Sequence, residues 1–495
     1  MSAKRCTIVI VGAGFCGTMM AVRLLQSAKA GAIDVVLINR PPLPNPGTGR
    51  TEEAETLLEH SKSLARGLAY GTNSADHLLN VPVGRMSAFD ELPDDFKAYL
   101  QRHEIACNGG SFVARKWYGD YLRSTLHDAA VKVSSKRDAP RLVTKNATVT
   151  TIDRRADGSL ELAFVEAGGE GSLLADRVVL ALGNFLPANV GLPDPRFYQS
   201  RRYLRDPWRA GALSRIDLSR PVVLIGTGLT MLDVAATLKR RAVAAGMPLS
   251  LIAISRRGLL AQAHRLQSES PQFLSPPSEI FDVYSARHYL RSVRRHIRRQ
   301  EVEGGNWRDV VASLRPITPT LWAKLPDPER RRFLRHLRPY WDSHRHRAAP
   351  EAATLLANLI ASGELKIHAA NLVRISEIGG STKVSIRPRA RTETIDIHAG
   401  HVINCTGPSS DIQAEPLLAS MHLQSMISPD ALGLGLNVAD DYRVTNAQGQ
   451  PTAGVYYVGP LLKACHWEAT AVPELRKHVR AAADAVIQTL TTPDQ

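Results

Sequence analysis

No Cys-x-x-Cys pair occurs among the five cysteines of this 495-residue chain, Cys6, Cys16, Cys107, Cys405 and Cys465. Cysteines scattered in this way indicate neither a disulfide framework nor a dithiol redox centre. No apolar run reaches the ~18 residues that a membrane span requires. The chain runs from Met1 to Arg5 directly into a strand pattern, without the apolar region of a signal peptide. These absences predict a cytoplasmic protein with no membrane span. Low-complexity tracts and fixed-period repeats are also missing, and so long a chain exceeds a single hydrophobic core, so two or three folded domains are expected. Acidic residues are in deficit, 47 Asp and Glu against 62 Lys and Arg, giving a net charge of +15. Basic surfaces suit nucleic acid, but no nucleic-acid motif accompanies the charge; anionic cofactors and an acidic substrate give it an internal use. His344-Arg345-His346-Arg347 lacks carboxylates or thiols at ligand spacing, so no metal site is expected.

What the chain does have is a pair of glycine-rich turns. The run Thr7-Ile8-Val9-Ile10-Val11 leads into Gly12-Ala13-Gly14-Phe15-Cys16-Gly17, and Pro221-Val222-Val223-Leu224-Ile225 leads into Gly226-Thr227-Gly228-Leu229-Thr230. Between a strand and a helix, such a turn lets a dinucleotide pyrophosphate approach the backbone at a helix N-terminus. Two turns suggest two nucleotides held against each other, as a flavin and a nicotinamide must be for hydride transfer. The first turn has all three glycines, but Asn39, followed by Arg40, stands at the end of its second strand, where an acid commonly binds the ribose. The second has Met231 in place of the third glycine, which implies looser helix packing. Its returning strand, 249–254, ends in Ser255-Arg256-Arg257, a sequence suited to the 2'-phosphate of NADPH rather than to NADH, or else a solvated turn.

The expected fold is α/β, with two Rossmann-like dinucleotide-binding domains, the FAD domain discontinuous, and a basic helical insert. The expected boundaries are 1–215 for the first part of the FAD domain, 216–400 for the NAD(P) domain including the insert at 267–357, and 401–495 for the second part. Two strand-to-glycine endings, Val178-Val179-Leu180-Ala181-Leu182-Gly183 and His401-Val402-Ile403-Asn404-Cys405-Thr406-Gly407, read as the points where the chain leaves and re-enters the FAD domain. Between residues 271 and 350 lie sixteen Lys and Arg against eight Asp and Glu, so over half the excess charge sits in the insert. The stretch 41–59 is polar and proline-rich and reads as an exposed excursion. The block from Arg66 to Met86 mixes glycine and proline with apolar residues. It is either a core-covering loop or a segment whose backbone meets a ligand.

These blocks, together with Phe333-Leu334-Arg335-His336-Leu337, Trp341-Asp342-Ser343-His344 and Trp467-Glu468-Ala469-Thr470, resemble the bacterial FAD/NAD(P)-binding flavoprotein family. The resemblance runs from Thr7 to Arg476. It implies an FAD enzyme oxidising NADPH or NADH, most consistent with a monooxygenase that uses O2 and a flavin peroxide to hydroxylate a small heterocyclic or aromatic substrate, anionic or neutral, with urate-like compounds among the candidates. A reductase without oxygen insertion and a non-catalytic redox module are the alternatives. The resemblance places Gly12, Gly14, Phe15, Cys16, Gly17, Asn39 and Arg40 at FAD, with Asn80, Val81, Arg85 and Met86 along it and Gly183 and Gly407 at the strand ends. It places Gly226, Gly228, Leu229, Thr230, Ser255 and Arg256 at the nicotinamide nucleotide. Gly459, where an acid often binds the ribityl chain, is followed by proline, leaving backbone amides after Leu461 as substitutes. In the segment that meets the flavin ring in relatives, Trp467 is a candidate shield, His466 a candidate catalytic residue, and Glu468 a proton donor or acceptor or a helix cap. His336 and Arg345 are further catalytic candidates, with the Arg345 region suited to an anion.

Overall fold

The computed structural model describes residues 5–27, 31–41, 63–134, 139–266 and 272–491. Apart from Pro41, the proline-rich excursion expected at 41–59 lies outside these residues, as does the beginning of the expected insert.

Two mixed sheets are built on one plan. In the first, strands β1 (Cys6–Val11) and β2 (Ile33–Asn39) run parallel on either side of the helix Phe15–Gln26 in sequence. The long strand β3 (Arg141–Arg154) extends the parallel set, then folds back through β4 (Leu160–Glu166) and β5 (Gly169–Ala175), and β6 (Arg177–Leu180) returns parallel to β1. The second sheet repeats this plan. After the short β7 (Tyr203–Leu204), strand β8 (Val222–Ile225), the helix Leu229–Ala244 and β9 (Leu251–Ser255) form the parallel unit. Strand β10 (Leu365–Ile378) matches β3 in role, β11 (Ser381–Pro388) and β12 (Ile395–Ala399) fold back, and β13 (His401–Asn404) returns parallel to β8. Finally β14 (Arg443–Thr445) and β15 (Pro451–Tyr457) complete the first sheet, β15 pairing with β6.

Strand β8 is buried throughout and β1 from Ile8 onward because helices cover them, and their Val and Ile side chains supply the branched surface that buried parallel strands need. The helices Phe15–Gln26, Arg115–Ser134 and Val472–Thr491 share the first core through Met19, Leu122 and Val479, and Met231, Leu238, Leu356 and Leu359 share the second.

Three expectations change. Strand β13 belongs to the second sheet, so the chain re-enters the first sheet after 404 and not at 401; the two strand-to-glycine endings are equivalent strands of different sheets. Strand β7 also lies in the second sheet, at its edge beside β13, so the chain leaves the first sheet after Leu180, well before 215. The helix Pro350–Ala361 packs into the second core as the crossover to β10, and therefore is not part of the insert.

Candidate active site

Both glycine turns are cradles of the same construction. Gly12 and Gly226 have φ of +108° and +111°, and each donates its N–H across to the neighbouring strand, to Ile38 and Ile254 at 2.8 Å. A Cβ on Gly12 would stand 2.3 Å from the Ala181 carbonyl oxygen, and one on Gly226 would stand 2.4 Å from that of Cys405. Strands β6 and β13 thus press their ends against the two turns in the same way. The difference lies one helical turn on. A Cβ on Gly17 would fall 1.8 Å from the Gly12 oxygen, whereas the second helix carries the Met231 side chain there, wholly buried, and must stand further from its turn.

Each helix starts from a glycine N-cap, Gly14 or Gly228, with no side-chain cap. First-turn N–H groups left without a side-chain acceptor are what an anionic pyrophosphate takes up. Space around Gly228 is open, with no atom within 4 Å of a built Cβ. At the first turn, a Cβ on Gly67 would come within 2.9 Å of Gly14 Cα, so the 66–70 segment lies directly over this turn. The residues present therefore fit two dinucleotides, with Phe15, Cys16 and Gly17 at one helix start and Leu229 and Thr230 at the other. Cys16 is packing rather than chemistry, since burial pushes its thiol up to about 12.

Several candidates are engaged elsewhere. Asn39 is buried and donates through Nδ2 to Ser63 (2.8 Å) and Asn146 (3.2 Å), while Arg40 pairs with Glu415. Ser255 Oγ accepts from Thr227 (2.9 Å) and from the Gly258 amide (3.0 Å). Arg257 donates to the carbonyls of Arg335 and His336, both at 3.1 Å, while Arg256 beside it is exposed. The Leu461 amide donates to the Tyr457 hydroxyl and that of Leu462 to the Gly459 carbonyl, so neither substitutes for the missing acid. Gly183 and Gly407 take positive φ with open space about them.

The catalytic candidates separate. The His336 side chain is exposed, and His466 lies against His478, with ring centroids 4.6 Å apart. Trp467 stacks on Trp322 at 4.6 Å and meets Phe333 edge-on at 5.2 Å, with 3% of its surface exposed; it anchors the insert. Glu468 is also 3% exposed, and its two oxygens meet Trp341 Nε1 at 3.0 Å and Arg345 at 2.9 Å. Arg345 reaches Glu474 at 3.8 Å, and Glu474 is held by Arg315 at 2.8 Å. Met86 is buried, while Val81 and Asn80 are partly so, and the Asn80 carbonyl accepts a 2.9 Å bond from His264 Nε2.

That last bond draws together three regions of sequence. A carbonyl only accepts, so Nε2 carries the proton and Nδ1 is the basic nitrogen of His264. Burial, with Arg347, Arg345 and Arg85 nearby, lowers this histidine to about 4, so it is neutral at neutral pH. Arg85, from the first domain, is only partly covered, and that partial burial with Arg315 and Arg345 nearby depresses it against the opposing pull of Glu474. Arg347, from the insert, is lowered to about 10 by burial with Arg345, Arg308 and Arg85 around it. Neither Arg85 nor Arg347 makes an ion pair among the described residues. Lys463, over the Trp467 ring at 4.4 Å, is likewise brought down to about 8 by burial. Sequence reasoning singled out the Arg345 segment but missed Lys463, because its desolvation arises only when the insert packs over it.

A second junction joins the domains. Arg115 meets Asp233 of the second glycine helix at 2.8 Å, and His77 Nε2 meets Thr237 Oγ1 at 2.8 Å. Both acid and imidazole are buried; burial raises Asp233 to about 6 and lowers His77 to about 4.

Residues 50–185 match the family model described as FAD-NAD(P)-binding. No curated protein matches in sequence. Among solved structures, the ornithine N-hydroxylase of Kutzneria sp. 744 is similar with a TM-score of 0.59 at 14% identity, over 99% of each chain. An ornithine hydroxylase from Pseudomonas aeruginosa has a TM-score of 0.62 at 14% identity, over 98% of this chain and 100% of that one. L-lysine 6-monooxygenase from Pseudomonas syringae has a TM-score of 0.60 at 16% identity, over 98% of both. No helix among the described residues is long and apolar enough to cross a membrane. The chain therefore has the fold of these two-dinucleotide-binding-domain enzymes, and its residues 50–185 match the FAD-NAD(P)-binding family model.

Proposed function

We propose that the protein is an FAD-dependent NADPH oxidoreductase, and specifically a monooxygenase acting on a small aromatic or heterocyclic substrate. The observation that carries this is the pair of uncapped, glycine-lined helix starts, one crossed by the 66–70 segment and one open. A covered turn suits a resident FAD, and an open one suits a nicotinamide nucleotide that enters and leaves. The Kutzneria neighbour, described with reduced FAD, NADP+ and L-ornithine, supports this pairing of cofactors. The neighbours act on ornithine and lysine, which lends nothing to a urate-like substrate.

Bound FAD would accept hydride from NADPH and deliver the electrons to oxygen. The chain's own part is placement. Amides of Phe15 to Gly17 and of Leu229 to Met231 hold the phosphates, and Arg256 faces solvent where a 2'-phosphate would be neutralised. Glu468, fixed by Trp341 and Arg345, and neutral His264, with its basic Nδ1, are the groups available to hold or move a proton.

The test is turnover by FAD-loaded protein with NADPH under isotopically labelled oxygen. Label in a hydroxylated product supports the proposal. NADPH oxidation that yields only hydrogen peroxide or a reduced acceptor across a broad substrate panel sinks the monooxygenase reading in favour of a reductase. Failure to take up FAD sinks both.

A further inference from the structure

Where the first domain, the 264 loop, the insert and the C-terminal segment meet, positive charge exceeds what the protein itself neutralises. Glu468, Glu474 and Asp309 pair with Arg345, Arg315 and Arg265 respectively. Arg85 and Arg347 have no such partner within 4 Å among the described residues; Glu474 and Asp309, each already paired, reach them only at longer range, while Arg345 and His264 share the same field. Hydrogen-bonding capacity is also unused: Arg345 Nε and Arg347 Nε are buried without a hydrogen-bond partner. Buried guanidinium N–H groups without acceptors cost free energy, and an oxyanion placed among them would satisfy both charge and donors. Trp307 supports this wall, with Arg308 and Arg347 over its ring at 4.6 and 5.9 Å.

We infer that Arg85, Arg345 and Arg347 form an oxyanion-binding site that takes the carboxylate of the substrate. This rests on the proposed function and deepens it by naming a substrate class, carboxylic acids without the side-chain amine that the ornithine and lysine of the fold neighbours carry. An ammonium group is repelled by this cluster, since bringing it beside unpaired guanidiniums sets like charges together in a poorly hydrated place. A carboxylate is planar and accepts from two N–H groups of one guanidinium at once, so its geometry as well as its charge suits arginine. A nucleotide phosphate shares this chemistry and must be told apart from it. Arg256, at the second glycine turn, is the separate candidate for that role.

The experiment is isothermal titration of the full-length FAD-loaded protein with benzoate, and with benzylamine as the cationic counterpart. Benzoate is expected to bind and benzylamine not to bind at the same concentrations. Arg347→Met and Arg85→Met are expected to weaken benzoate binding at least tenfold, with FAD content and melting point checking that each variant is folded. Arg85, being exposed, gives a folded variant even if Arg347→Met does not. Arg347→Lys, which keeps the charge and loses the fork, is expected to fall between. Equal binding of benzoate and benzylamine, no benzoate binding at 10 mM (roughly the weak limit for a specific small-ligand site), or benzoate affinity unchanged in the Arg85 variant overturns the inference. Displacement of benzoate by NADP+ overturns it too, assigning the cluster to the nucleotide. A protein that binds no FAD but still binds benzoate through Arg85 refutes the flavoenzyme proposal and leaves the anion site standing.

Discussion

Arg345 Nη2 stands 2.9 Å from a Glu468 carboxylate oxygen, while the Nε of the same guanidinium is buried with no hydrogen-bond partner. The pair spans the junction of the insert with the C-terminal segment. Glu468 therefore competes with any exogenous anion for the same guanidinium.

Replacing the acid by its neutral isostere separates those roles. Glu468→Gln keeps an acceptor for Trp341 but leaves Arg345 only the more distant Glu474, at 3.8 Å and shared with Arg315. Breaking a buried pair costs about 3 kcal/mol, so the melting point should fall in a thermal scan. Benzoate affinity should rise severalfold in the same variant. Weaker benzoate binding would mean that Glu468 orients Arg345 rather than competing for it.

The glycine turns respond differently to one methyl group. Gly17→Ala places a Cβ 1.8 Å from a backbone oxygen and should abolish stable FAD retention, read as the flavin absorbance that survives gel filtration. Gly228→Ala meets nothing within the protein. Its stability should fall by only about 1 kcal/mol, the cost of a poorer N-cap, while KM for NADPH rises tenfold or more. An unchanged KM would mean that no nucleotide approaches this turn.

Acid should destabilise the fold in a defined window. His77 and His264 have folded values near 4, below the ordinary 6.5 of the unfolded chain, so their contribution is complete above pH 6.5 and is lost as pH falls toward 4. Each shift is worth at most on the order of 3 kcal/mol. Asp233 opposes them: its value is raised to about 6, so its contribution is present at low pH and disappears as pH rises through 6. Two histidines outweigh one aspartate, and net stability should drop between pH 6.5 and 4. Asp233→Asn should steepen that drop in denaturant titrations at several pH values; a flat profile would count against neutral, buried imidazoles.

Trp467 joins the insert to the segment following β15. Truncation of a buried indole typically costs about 3–5 kcal/mol. Trp467→Ala should therefore expose the insert to limited proteolysis near 322–333 before the sheets unfold. Cleavage at the wild-type rate would show that the stack does not hold the insert.

Much of this architecture was legible because glycine spacing and apolar strands are local signals. Gly12, Gly14 and Gly17 after five apolar residues specify a strand, a tight turn and a close-packed helix whatever the rest of the chain does. Assigning β13 to the FAD domain went astray because a strand's own residues do not say which sheet it joins; 178–183 and 401–407 look alike because they do the same job in two sheets. Trp467 read as a flavin shield since its partners, Trp322 and Phe333, are far off in sequence. The unpaired state of Arg85 and Arg347 had no local signature, because it depends on which acids other arginines take first.

The floor beneath each glycine turn also sets an order of assembly during synthesis. Gly12 emerges from the ribosome long before Ala181, and Gly226 long before Cys405, so neither turn can be completed by its own neighbourhood. Strand β15, which closes β6, appears last of all, after the whole second sheet. A nascent chain therefore holds the open edge of β6 until translation is almost finished, an interval in which unpaired strand edges are prone to mispairing.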